Sequence, residues 1–343
     1  MSEPTFTNSF TQRIETLNKK EILPKYFKAP IFGLWELTNK CNLSCVHCYY
    51  KANSKPSSAE FSTSEALEIA RQLGELGVFE VYLTGGEALL REDWAKIVSK
   101  LREYNIQVGI ITNGTLVDEA AAEEIARLKV KWVQISIDGS TAEIHEKARG
   151  LAGSWEKSVA AVKLLKNKGV RVHVSFVPSS VNYFDVGNVI RLCAEMGLEY
   201  FVTDMLVLTG RAALNSASIA LSDKQYTEFF KSLDESAKKY SDKMRIIAPS
   251  PEKQVLKTYL SVRSAAPNIW CIITPEATLR LDLLLPFTYG NLRKQPIKQI
   301  WGEYLKEGWR RPEVVSFIKK YEQMKDLIAE RTIPYVTEDI HYE

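Results

Sequence analysis

Cysteine and histidine are both scarce in this chain, five and four respectively among 343 residues. A disulfide-stapled secreted scaffold needs dense, even-numbered cysteines, so that class is excluded. An excess of one charge is missing too. Lys and Arg number 45 against 42 Asp and Glu, a net of 45 − 42 = +3. With no basic stripe either, a nucleic-acid partner is excluded. No run of ~18 apolar residues occurs, so no segment reads as crossing a membrane. The N-terminal MSEPTFTNSFTQRIETLNKK lacks the apolar stretch of a signal peptide, and the expected location is the cytoplasm. Low-complexity tracts are also lacking. What remains is ordinary globular composition, 45% apolar and 25% charged. At ~100–200 residues per domain, the length suits more than one.

After a polar lead over residues 1–30, apolar β-branched runs alternate with segments of helical period. The predicted strands are Ile31–Leu37, Glu80–Leu83, Val108–Thr112, Trp132–Ile137, Arg171–Val177 and Glu199–Leu208. The predicted helices are Ser64–Leu76, Asp93–Tyr104, Asp118–Leu128, Trp155–Lys168, Phe184–Met196 and Asp223–Tyr240. Ser62 with Glu65 fits a capping box, and Gly77, Gly169 and Gly197 fit helix ends. Such alternation implies right-handed βαβ units and a parallel sheet. The fold class is α/β. Six units suit an open, partial (β/α)6 barrel over residues 31–240 better than a complete one, although a doubly wound sheet alternates in the same way. Past Ser241 the rhythm stops, and Pro249, Pro251, Pro267, Pro275 and Pro286 interrupt short extended runs. Residues 241–343 read as a small, separate α+β region with a hairpin and two helices, Pro296–Tyr304 and Pro312–Glu330.

Three of the cysteines, Cys41, Cys45 and Cys48, fall in one loop after the first strand. That spacing suits a metal or cluster site. An iron–sulfur cubane takes four ligands, usually thiolates, so three would leave one iron open. A structural zinc site completed by a distant residue is the alternative. The next strand ends carry further polar punctuation: Thr84-Gly85-Gly86-Glu87, Thr112-Asn113-Gly114, Ser136-Ile137-Asp138-Gly139 and, a little beyond, His145 to Gly150 reading HEKARG. Ligand chemistry belongs at these carboxyl ends.

A CxxxCxxC loop after the first strand, with those elements in order behind it, resembles the radical S-adenosylmethionine (radical SAM) superfamily. The resemblance covers about residues 31–210. It implies a [4Fe–4S] cluster on Cys41, Cys45 and Cys48, with SAM chelating the open iron. It further implies SAM contacts from Gly85, Gly86 and Glu87 (the amino group), Asn113, Ser136 and Asp138 (ribose and methionine), and Arg149 (the carboxylate). The residue before the last cysteine is usually aromatic in that family; here it is His47, whose ring could cover the adenine. An electron donor such as flavodoxin or ferredoxin is implied as partner.

The tail adds a second resemblance. Cys271, a hairpin, Tyr289-Gly290-Asn291-Leu292 and Ile300-Trp301 are similar to the start of a SPASM or twitch domain. No cysteine follows Cys271, so this domain is expected to be degenerate and the protein to carry one cluster only. Cys271 is expected either as a buried structural residue or as a hydrogen-atom donor to a substrate radical. Cys193 and His173 fit packed positions, and Gly210-Arg211 reads as a turn that could touch substrate or SAM. The implied reaction is hydrogen abstraction by a 5′-deoxyadenosyl radical. The substrate would be a ribosomally made peptide undergoing cross-linking, epimerisation or oxidation; a sugar or tetrapyrrole is the other candidate. A non-catalytic zinc- or cluster-binding protein is the reading from a different class.

Overall fold

A computed structural model describes residues 16–17, 20–50, 52, 59–249, 263, 266–321, 326 and 339–342. Six strands lie side by side in chain order and all parallel: β1 (Phe32–Glu36), β2 (Glu80–Thr84), β3 (Gln107–Thr112), β4 (Trp132–Ser136), β5 (Val172–Phe176) and β6 (Tyr200–Thr203). Helices α1 (Thr63–Glu75), α2 (Trp94–Glu103), α3 (Glu119–Arg127), α4 (Ala142–Arg149), α5 (Ser154–Asn167) and α6 (Val186–Glu195) fall between them. The predicted elements are present with ends moved by a residue or two, except that β6 stops at Thr203. The Ser62 hydroxyl accepts from the Glu65 amide, and the Ser62 amide donates 2.7 Å to the Glu65 carboxylate, closing the predicted capping box. Ala66, Ile69, Ala70 and Leu73 then form the buried stripe of α1. Helix α4 was not predicted. Its buried residues are His145, Ala148 and Arg149, so it has no apolar period to read.

Two findings correct the expected boundary at residue 241. Arg245–Ile247 is a seventh parallel strand, β7, paired to β6. Trp270–Ile273, β8, lies parallel against β1, on the side away from β2. β9 (Leu279–Arg280), β10 (Phe287–Tyr289) and β11 (Ile340–Tyr342) continue outward, giving one sheet of eleven strands in the order β11-β10-β9-β8-β1-β2-β3-β4-β5-β6-β7. The barrel is open, and the C-terminal region is an extension of its sheet rather than a separate body. The Arg293 guanidinium reinforces the join, with Nε 2.6 Å from Glu65 and its other nitrogens on the Ala59 and Glu276 carbonyls. The predicted helix from Pro312 runs to Lys320; of its continuation past Tyr321 only Asp326 is among the described residues.

Side chains alternate across each strand. Trp35, Val81 and Leu83 face the helices. Phe32, Leu34 and Glu36 face the interior. A row of rings crosses that interior face from β8 to β6: Trp270 stacks on Phe32 (5.0 Å), Tyr82 meets Trp270 (5.1 Å) and Trp132 (5.0 Å), and His173 lies between Trp132 (5.3 Å) and Tyr200 (4.7 Å). The row crosses β3 at Gly109, the register partner of both Tyr82 and Trp132. A Cβ there would collide with the indole of Trp132. The ring occupies the vacant space and donates 2.7 Å to the buried Glu80 carboxylate. Gly109→Ala therefore should displace the indole and leave Glu80 with Lys131 alone among its side-chain donors. An unfolding free energy lower by about 1–3 kcal/mol is expected, read as a lower urea midpoint at unchanged m. An unaltered midpoint would mean that the row yields without cost.

Candidate active site at the barrel mouth

The chain leaves β1 through Thr38, Asn39 and Lys40 and turns across the barrel mouth. Glu60 receives the Thr38 hydroxyl at 3.0 Å and the Asn39 amide at 2.9 Å, and the Asn39 side chain donates 3.0 Å to Glu276. From the other side the end of β2 docks on the same backbone. Gly86 N–H donates 2.6 Å to the Thr38 carbonyl and Glu87 N–H 2.8 Å to that of Lys40. Any Cβ at Gly85 or Gly86 would strike those carbonyls, and Gly85 has φ +121. The glycines serve this close approach of two backbones.

The three thiols lie in the loop so fixed. Cys45 is buried, Cys41 and Cys48 half-buried. Burial pushes Cys41 up to about 12 and Cys48 up to about 11, with the neighbouring sulfurs adding to both. Two N–H donors already point at sulfur: Leu43 N–H on Cys41 (3.4 Å) and Arg149 Nη1 on Cys45 (3.7 Å). Among the described residues no His, Cys, Asp or Glu group converges tightly enough to hold one metal ion. A zinc ion would need that convergence, with Zn–S near 2.3 Å. A cubane does not, because each thiolate binds its own iron. The thiols, the inward N–H donors and the glycine-shaped wall fit a cluster.

Glu87 is buried beside the loop. Its carboxylate accepts from Leu89 N–H (3.1 Å), the Thr112 hydroxyl (2.8 Å) and Asn113 N–H (2.8 Å). Burial nonetheless holds its carboxyl above the usual range, these donors offsetting only part. Asn113 donates 2.9 Å to Asn42 within the cysteine loop. The second and third strand ends thus meet at one point. Ser136, half-buried on the interior face of β4, accepts 3.4 Å from Ser175. Nearby, the Tyr49 hydroxyl donates 3.4 Å to the buried Glu36.

Asp138 is placed otherwise than expected. It is 0% exposed. One carboxylate oxygen accepts from Val177 N–H at 2.8 Å; the other lies 3.0 Å from His47 Nε2 and 2.6 Å from Arg149 Nε. Its amide donates 3.1 Å to His145 Nδ1, and its carbonyl accepts from Asn182. Burial alone would raise its carboxyl, but Arg149 and then His47 outweigh that and hold it well below the usual range. Burial also pushes His145 down to about 4, which leaves Nδ1 free to accept. His47 and Arg149 are therefore held by a buried carboxylate. The oxygens of Asp138, expected to contact SAM, lie against protein groups.

Sequence reasoning missed one positioning element. Thr209–Asn215, built around a short helix at Gly210–Leu214, straps the outer side of the cysteine loop. The Thr209 hydroxyl donates 2.9 Å to the Tyr49 carbonyl, Ala212 N–H 2.9 Å to that of Cys48, and Asn215 Nδ2 2.9 Å to that of Val46. Arg211 reaches the carbonyls of Cys45 (3.3 Å) and Ala52. The Gly210-Arg211 pair was the visible signal, but read as a turn it pointed to a ligand instead of to the loop. Cys271 lies away from the mouth. Trp270 faces the interior, so its neighbour Cys271 faces the helices, beside Gly33 and Val81 and 0% exposed. Burial pushes its thiol up to about 12. Its thiol therefore lies on the helix-facing side of the sheet and not on the interior face.

Residues 35–193 match the family model described as the Radical SAM superfamily. The AdoMet-dependent heme synthase of Oleidesulfovibrio alaskensis is 31% identical over 57% of this chain and 50% of that protein. The sporulation killing factor maturation protein SkfB of Bacillus subtilis is 28% identical over 72% of this chain and 59% of its own length. The chain thus spans about half the length of such curated relatives. Among solved structures, Streptococcus suis SuiB bound to precursor peptide SuiA superposes with a TM-score of 0.68 at 13% identity, over 88% of this chain and 70% of that one; the likeness is one of fold. A three-cysteine loop docked on a Gly-Gly-Glu strand end in an open parallel barrel thus lies within residues 35–193, the part of the chain that matches the Radical SAM superfamily model.

Proposed function

We propose that the protein is a radical SAM enzyme that holds one [4Fe–4S] cluster on Cys41, Cys45 and Cys48 and binds SAM against Gly85, Gly86, Glu87, Asn113 and Ser136. The observation that carries this reading is the docking of the second and third strand ends on the cysteine loop. When bound and reduced, the cluster supplies the electron that cleaves SAM to a 5′-deoxyadenosyl radical, which takes hydrogen from substrate. Glu87 offers a buried carboxylate suited to an ammonium group. Gly85 and Gly86 let the end of β2 dock on the cysteine loop, which sets Glu87 beside it. Above the aromatic row, Leu34, Ile111, Gln134, Ser136 and Ser175 are half-buried on the interior face.

For the substrate we favour a ribosomally made peptide, since the matched relatives include a killing-factor maturation protein and a PqqA peptide cyclase, and the fold is shared with a precursor-peptide-bound structure. A small planar molecule such as a tetrapyrrole is the second reading. The ring row across the interior and the heme-synthase relative favour it. Incubation with a candidate precursor peptide or with an iron porphyrin, followed by mass spectrometry, separates the two. A mass change in only one identifies the class.

Anaerobic reconstitution tests the core of the reading. The chain should take up about four irons and make 5′-deoxyadenosine from SAM with dithionite. Replacing Cys41, Cys45 and Cys48 by Ala should abolish both, whereas a colourless protein that takes up zinc alone would refute the proposal. Arg211→Ala removes two hydrogen bonds to loop carbonyls outside the ligand set. Cluster affinity should fall ~10–100-fold, as for partners of metal ligands generally, with the far-UV spectrum of the folded protein retained. Cys271→Ala should cost about 1 kcal/mol of stability and leave 5′-deoxyadenosine and product yields unchanged. Product loss with SAM cleavage intact would restore Cys271 as hydrogen donor.

A further inference from the structure

Arg149 has a different set of contacts from that implied by its motif. Two nitrogens of its guanidinium are committed inside the protein, Nε at 2.6 Å from Asp138 and Nη1 at 3.7 Å from the sulfur of Cys45. Arg149 is 8% exposed, and Cys45, equally buried, is the most enclosed of the three loop cysteines. A guanidinium is planar, so holding Nε on a carboxylate fixes where Nη1 points. Asp138 cannot drift to relax this geometry. Val177 N–H pins one of its oxygens, His47 shares the other, and its backbone is tied to His145 and Asn182. His47 lies between Cys45 and Cys48 in the chain, so the same carboxylate also seats the loop that carries both sulfurs.

Hydrogen bonds to cluster sulfurs are among the levers that set an iron–sulfur potential. Reduction adds one negative charge to the cluster. A cationic N–H donor fixed at a ligand sulfur in a dry setting stabilises the reduced form more than the oxidised one, and so raises the potential. We propose that Arg149 donates a hydrogen bond to the Cys45 thiolate of the bound cluster, and that Asp138 holds it there as a positioning residue, so that this buried pair sets the cluster's reduction potential. The inference rests on the cluster assignment to Cys41, Cys45 and Cys48. It makes the HEKARG element a tuning device for the metal centre, acting before SAM arrives.

The test uses the full cluster-loaded chain without SAM. In a redox titration followed by electron paramagnetic resonance, Arg149→Gln should shift the reduction equilibrium at least tenfold toward the oxidised cluster, 59 mV downward for a one-electron couple. Arg149→Lys keeps the charge without the fork and should fall between the two. A fully loaded Arg149→Gln cluster with the wild-type potential overturns the proposal. Because that variant could fail to fold or load, the wild-type protein is also prepared with 15N-arginine. Pulsed measurements on its reduced cluster should show hyperfine coupling to an arginine nitrogen, weakened in Asp138→Asn, and the absence of that coupling in the wild type overturns the proposal equally. Arg211 serves as the control, since its contact is to the Cys45 carbonyl; the coupling should persist in Arg211→Ala. A wild-type chain that takes up no iron would defeat the cluster assignment itself, and this inference with it.

Discussion

The barrel mouth is organised around a carboxylate that no water reaches. Asp138 lies past the end of β4, fully buried, and draws in one side chain from the cysteine loop and one from α4 while taking an amide from the segment after β5. An isolated charge in such a place would cost several kcal/mol, and an unpaired one would leave the carboxyl protonated. Arg149 and His47 make the ionised form the stable one. Removing Arg149 would take away the cation beside this buried carboxylate, and through Asp138 two strand ends, a helix and the loop are bound to one another. Buried ion pairs are poor sources of net stability but good sources of a single geometry. A loop that must present three sulfurs at set positions needs the second more than the first.

Much of the scaffold was legible in the sequence because it follows from periodicity. Runs such as Val108–Thr112 and stripes such as Ala66, Ile69, Ala70 and Leu73 declare a strand and a helix without reference to anything distant. Helix α4 was not legible because its buried face is histidine and arginine, which no hydrophobic pattern marks. β7 and β8 were too short and too interrupted by proline to be assigned to the barrel. Their place comes from long-range pairing, which local pattern does not encode.

The candidate site shows the same division. The residue types at the strand ends were visible, and so was their order. Their partners were not. Arg149 and Cys45 stand 104 positions apart, and Asn215 reaches Val46 across 169. Spacing within a motif carries no information about such contacts. Arg149, expected at a ligand carboxylate, has a protein carboxylate 2.6 Å from its Nε, and strand alternation turns Cys271 to the helices.

The pairing of β8 with β1 bears on how this chain comes together. Phe32 and Trp270 are partners across 270 − 32 = 238 positions. During synthesis β1 can pair with β2 early, yet its other edge stays bare until most of the chain has left the ribosome. Contacts of such separation are slow to form, and unpaired strand edges invite association with other chains. The cysteine loop follows directly from that strand, and Asn39 finishes its anchorage on Glu276, which arrives equally late. The ordering of the cysteine loop is thereby tied to the last stages of folding, so that a truncated or nascent chain would present its cysteines without the frame that holds them.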